Sequence, residues 1–110
     1  MIGADLVLET GLLKSCRIKG HAGAGPKGSD IVCAAVSVLA RTAFYVLSEK
    51  DGITVCGDFS GPGEFWLEIS AVNPENIGFL AGAGAFLEEG ILSVSREFPD
   101  FCTINIDRRK

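Results

Sequence analysis

Residues 28–52, GSDIVCAAVSVLARTAFYVLSEKDG, decide the architecture. Asp30 reads as a helix N-cap, because its carboxylate accepts from the unpaired N–H groups of a first turn. From Ile31 to about Leu47 the stretch is apolar. Ala34, Ala35, Leu39, Ala40 and Ala43 favour helix. Val32, Val36 and Val38 are β-branched and weaken that preference, but burial on a sheet outweighs the loss. Glu49-Lys50-Asp51-Gly52 then ends the helix in a turn. A helix this apolar needs a sheet beneath it, so the flanking segments are read for strands.

Upstream, residues 2–9 and 12–20 read as two strands with Gly11 at the turn between them. In the second, Cys16 and Ile18 point to one face and Arg17 and Lys19 to the other. Lys14 breaks this alternation and is expected near a strand end. Downstream, strands are expected at 53–57 and 64–71, parted by Ser60-Gly61-Pro62-Gly63. In the latter, Phe65, Leu67 and Ile69 alternate with Trp66 and Glu68. Asn73-Pro74-Glu75 marks a second helix start, with N-cap, Pro at the first position and an acid following. That helix runs to about Glu97, with Ile77, Leu80, Ala81, Gly84, Leu87, Ile91 and Val94 as its core stripe. Phe79, Ala83 and Phe86 form a second apolar stripe, which implies a second neighbour, either the other helix or another subunit. A last strand, 101–107, puts Cys102, Ile104 and Ile106 on one face. The order β-β-α-β-β-α-β, with short turns between neighbouring strands, predicts an α/β (α+β) two-layer sandwich. Two helices pack on one face of a mostly antiparallel sheet. Residues 1–110 form a single domain.

At 110 residues and 47% hydrophobic, the chain can build one real core. No segment approaches the roughly 20 apolar residues of a membrane span, and the start lacks a signal-peptide pattern. A cytoplasmic protein is expected, without a membrane partner. Cys16, Cys33, Cys56 and Cys102 include no C-x-x-C pair, so free thiols are expected. The net charge of −4 and pI near 4.9 argue against direct nucleic-acid binding and suit a basic partner.

The chemistry narrows to few residues. His21 is the one histidine in the chain. It ends a strand, and Ala22-Gly23-Ala24-Gly25-Pro26-Lys27-Gly28-Ser29 follows as a flexible loop. Cys33, three residues after the expected N-cap, would lie in the first helical turn. There the dipole and free N–H groups favour a thiolate and an oxyanion. An imidazole nearby could take the thiol proton and return it to a leaving amine. Ser37 is one turn beyond Cys33 on the same face, and Asp30 could cap the helix or orient His21. The residues alone also fit an inert core thiol at Cys33, a plain turn residue at His21 and a packed Ser37. Gly23-Ala24-Gly25-Pro26-Lys27-Gly28 matches G-x-G-x-x-G. Asp30 at the phosphate position, Pro26 and the lack of a repeated βαβ pattern argue against a dinucleotide site. Cys16, His21 and Cys33 have no usual zinc spacing.

Gly20-His21-Ala22-Gly23, followed by Gly28-Ser29-Asp30-Ile31-Val32-Cys33-Ala34-Ala35-Val36-Ser37, resembles the ribosomal-processing cysteine protease (Prp) family. Its signature is G-H-A, a glycine-bearing loop, then G-x-D-I-V-C-A-A-x-S. The resemblance implies a cysteine endopeptidase that removes an N-terminal extension from large ribosomal subunit protein twenty-seven. It implies a His21–Cys33 dyad, supporting roles for Asp30 and Ser37, and a substrate loop containing Gly20, Ala22, Gly23 and Gly28. It further implies a homodimer that needs no metal or organic cofactor. Many relatives carry an aromatic and charged residues inside the loop, where this chain has Ala24-Gly25-Pro26-Lys27. Two rivals remain at this stage: a non-catalytic ribosome-associated binding protein of the same fold, and a thiol hydrolase or acyltransferase acting on a small molecule.

Overall fold

The computed structural model describes residues 1–20, 27–60 and 64–110, with the backbone alone at 27–30. Its elements are β1 (Ile2–Glu9), β2 (Leu12–Lys19), α1 (Lys27–Ser48), β3 (Ile53–Asp58), β4 (Glu64–Val72), α2 (Ile77–Glu97) and β5 (Cys102–Arg109). The expected order is present. Among the described residues the strands form one sheet, ordered β3-β4-β2-β1-β5. All pairs are antiparallel except β1 with β5.

The connections explain why both helices share a face. From β2, α1 carries the chain over β4 to β3; from β4, α2 carries it back over β2 and β1 to β5. The two crossovers start from antiparallel strands and travel in opposite directions across the sheet. Crossovers of one hand, the rule for such connections, therefore land on the same side. On that side α1 buries Val32, Val36, Ala40 and Leu47, and α2 buries Leu80, Gly84, Leu87 and Ile91. They meet Ile2, Ala4 and Leu6 of β1, Cys16 and Ile18 of β2, and Leu67 and Ile69 of β4. Each fully buried Leu or Ile contributes about 1.5–3 kcal/mol.

The β1–β2 hairpin turns through Thr10 and Gly11, both with positive φ (51° and 82°), the geometry of a tight two-residue loop. Lys14 departs from expectation. Val7 pairs with Ser15 but Leu8 with Leu13, so Lys14 is the extra residue of a bulge inside β2, not a strand-end residue. The bulge turns both Leu13 and Cys16 inward although they are three apart. It also frees the Lys14 amine to donate to the Ile69 carbonyl at 2.8 Å.

Both helix starts differ from the sequence reading. Lys27, Gly28, Ser29 and Asp30 are helical, so Gly28 belongs to α1 rather than to the loop, and Asp30 lies in the first turn rather than capping it. An acid at either position stabilises a helix N-terminus, and Pro26 just upstream suits a helix beginning there. The second helix opens with a tight 3-10 turn, Pro74–Asn76, before α2, and Asn73 makes no side-chain cap. The Asn76 amide donates instead to the Asp51 carbonyl at 2.6 Å, tying this turn to the end of α1. Ile77, expected in the core, is 45% exposed as the first residue of α2.

The expectation that no segment is apolar enough for a membrane span is also corrected. By length and composition, Ile31–Ser48 and Pro74–Glu97 both qualify. Each helix is apolar on more than its sheet-facing stripe, which leaves Val38, Val46, Phe79 and Phe86 at the outer surface.

Candidate active site

The four cysteines are free, and the fold divides them sharply. Cys16 and Cys102 face the core, each 1% exposed. Burial, with a smaller push from the Asp5 charge, raises the Cys16 thiol to about 12. Burial likewise raises Cys102. Both are held as neutral thiols, which are poor nucleophiles. Cys56 is exposed on the helix-free face of the sheet, its thiol 3.8 Å from the Glu68 carbonyl. Cys33 is half-buried on α1, packed against the edge of the core.

The Cys33 Sγ lies 4.0 Å from the Ser37 Oγ, the outer limit of a sulfur hydrogen bond. Their spacing of four residues puts them one helical turn apart. Ser37 is only 5% exposed, so its hydroxyl is held beside the thiol and screened from water. The pairing expected from the sequence is therefore present. The expected place in the helix is not: with α1 starting at Lys27, Cys33 is in the second turn. Its backbone N–H is already within the i to i−4 ladder. The N–H groups of α1 without an intrahelical partner are those of its first three residues, Lys27, Gly28 and Ser29.

Gly20 ends the approach to the site, and a Cβ there would strike the Ile2 side chain and the Met1 carbonyl. Glycine at this position is thus a steric requirement of β2 passing the start of β1. His21, Ala22 and Gly23 lie outside the described residues, as does the side chain of Asp30.

The sequence reading missed a neighbouring aromatic group. Phe44 of α1 meets Phe59, which in turn stacks on Phe65 of β4, with ring centroids 5.3 and 5.9 Å apart. These rings adjoin a cleft of about 310 Å³ between α1 and the end of β3. The signal was present in the spacing of Cys33, Ser37, Arg41 and Phe44, which continues one side of the helix beyond Ser37.

The model of the family described as Cysteine protease Prp matches residues 1–103. Among solved structures, the chain is similar to SMU.848 from Streptococcus mutans, with 28% identity, a TM-score of 0.81, and 99% and 96% of the two chains covered. It is also similar to the essential ribosomal processing protease Prp from S. aureus in complex with a substrate peptide. There the identity is 16% and the TM-score 0.81, covering 97% of this chain and 100% of that one. The same S. aureus protease with a covalently linked product peptide matches at 22% identity and a TM-score of 0.69, covering 97% and 100%. No curated protein matches the chain.

Proposed function

This chain belongs to the cysteine protease Prp family, and from that premise we propose that it cuts the N-terminal extension from large ribosomal subunit protein twenty-seven, using Cys33 as nucleophile and His21 as base. The observation that carries the reading is the position of Cys33. Among the four thiols it alone combines partial exposure, a buried hydroxyl at 4.0 Å and a place on the element that follows His21.

His21 takes the proton from the Cys33 Sγ as the sulfur attacks the scissile carbonyl carbon. The tetrahedral oxyanion collapses, the C–N bond breaks, and His21 returns the proton to the leaving amine. Water, deprotonated by His21, then attacks the thioester; the acid product leaves and Sγ regains its proton. Ser37 steadies the sulfur or the oxyanion from its screened position. Asp30 supports the start of α1. The chemistry calls on no metal or organic cofactor. Cutting a ribosomal protein places the enzyme in the cytoplasm, and its acidic charge suits a basic target.

A homodimer is part of the same reading. Its support is the outer side of the helix layer, where Val38, Leu39, Ala43, Val46, Ala83 and Phe86 border an apolar groove of about 250 Å³. Phe86 is 74% exposed, an unusual state for a large apolar side chain with apolar neighbours.

Mass spectrometry tests the activity. The protein is incubated with a peptide spanning the extension and the residues after it, beside Cys33→Ala and His21→Ala. One cut by the wild type, absent from both variants, is expected. No cut by the folded wild-type protein would remove the protease reading and favour a binding protein.

A further inference from the structure

Cys33, Ser37 and Phe44 follow one another along one side of α1, with Arg41 turned outward between them. Opposite, Phe59 is presented by a tight turn in which the Ser60 N–H and hydroxyl both donate to Asp58 Oδ1, at 2.9 and 2.6 Å. These bonds hold the Asp58 carboxyl below its ordinary range, so it is ionised at neutral pH. A Cβ on Gly57 would stand 2.5 Å from the Trp66 carbonyl oxygen and 3.0 Å from the Phe44 ring. Only glycine there lets Phe44 lie flat against β3. The result is a cleft with an aromatic floor, Arg41 and Tyr45 on the helix wall and Gly57 and Ser60 on the opposite wall. Arg41 makes no ion pair with a described residue.

We propose that this cleft is a remote subsite of the peptidase, holding a large apolar side chain about four residues from the scissile bond. Arg41 donates to a main-chain carbonyl of the peptide. The inference rests on the protease reading above. Distance supports it. Arg41 and Phe44 lie roughly 12 and 17 Å from Cys33 along the helix axis at 1.5 Å per residue. An extended peptide, at about 3.4 Å per residue, covers that in roughly four or five residues. Charge supports it too. Arg41 stands beside an apolar floor, which suits a neutral side chain next to a backbone carbonyl better than a basic one. The floor is pre-formed by packing among the rings, so little ordering is required on binding.

The test is a coupling measurement on the intact protein. Cleavage of the extension peptide is followed for wild type, Arg41→Ala and Tyr45→Ala. Each is given the natural peptide and versions with single glycine replacements at each of the six positions on either side of the cut. For one apolar position about four residues from the cut, the glycine peptide should lower kcat/KM for wild type by roughly tenfold or more. On that peptide alone, the penalty of Arg41→Ala and Tyr45→Ala should largely vanish. If the variants lose the same factor on every peptide, or lose nothing, the subsite is refuted while the protease stands. If wild type cuts no peptide, the protease reading fails and the subsite falls with it. Both replaced side chains lie at the surface, and matching circular dichroism and urea midpoints would show that folding is intact.

Discussion

Thiol alkylation offers a sharp check on which sulfur is the nucleophile, because the fold supplies its own internal standards. Iodoacetamide reacts with thiolates, and the folded protein presents its four cysteines in three environments. Cys16 is raised from an ordinary value of 9.0 to about 12. Its thiolate population near neutral pH is therefore lowered about a thousandfold, since each pKa unit is a factor of ten. Its 1% exposure suppresses reaction further, because the reagent must wait for local opening. Cys102 is protected in the same sense. Cys56 is exposed and serves as the solvent-accessible reference within the same molecule. Time-resolved labelling at pH 7.5, read by peptide mass spectrometry, should give Cys33 first, Cys56 more slowly, and Cys16 and Cys102 essentially unlabelled. All four should label alike in 6 M guanidinium, a concentration at the upper end of those needed to unfold stable domains. Loss of peptide cleavage should follow the labelling of Cys33, and Cys56→Ser should not slow it. If Cys33 reacts no faster than Cys56, the argument for an activated nucleophile is wrong. If Cys16 labels within tenfold of Cys56 in the folded protein, the description of the core is wrong.

Three further outcomes follow from the packing. The Cys16 thiol has a folded value above its unfolded one, so its stabilising effect is complete below pH 9 and is lost between pH 9 and about 12. The full loss is about 4 kcal/mol, and urea unfolding from pH 8 to 11 should fall more steeply for wild type than for Cys16→Ala. Gly57→Ala drives a methyl group into the Trp66 carbonyl and the Phe44 ring; a loss of about 1–3 kcal/mol in urea titration is expected. An unchanged midpoint would show that the strand yields. Phe86→Asp puts a charge at the most exposed ring of the helix layer. It should leave the far-UV circular dichroism of the folded protein intact while converting a dimer to a monomer by light scattering, with a lower thermal midpoint that no longer depends on protein concentration. A wild type that is already monomeric refutes the dimer.

Much of the fold was legible because its signals are periodic. Alternation in Phe65-Trp66-Leu67-Glu68-Ile69 fixes a half-buried strand, and Leu80, Gly84, Leu87 and Ile91 fix the buried stripe of α2. What escaped was local and depended on partners distant in sequence. Lys14 looks like a defect in a strand until Ile69, fifty-five residues on, supplies an acceptor. Asp30 looks like a cap because an acid in the first turn and an acid at the N-cap answer the same unpaired N–H groups. The Cys33–Ser37 pairing was readable from helical spacing alone. The cleft was not, since Phe59 belongs to no regular element and its neighbours come from α1, β3 and β4.

The parallel pairing of β1 with β5 has a consequence for how the chain is made. Ile2 pairs beside Cys102, so an interior strand waits for about a hundred residues of synthesis before its second edge is covered. At roughly 5–20 residues per second that is about 5–20 s during which an apolar strand lies open on one side. Contacts so distant in sequence close late and slowly. The sheet that seats α1, and with it Cys33, is therefore finished only when the last strand arrives, and a nascent peptidase stays without its complete scaffold until that moment.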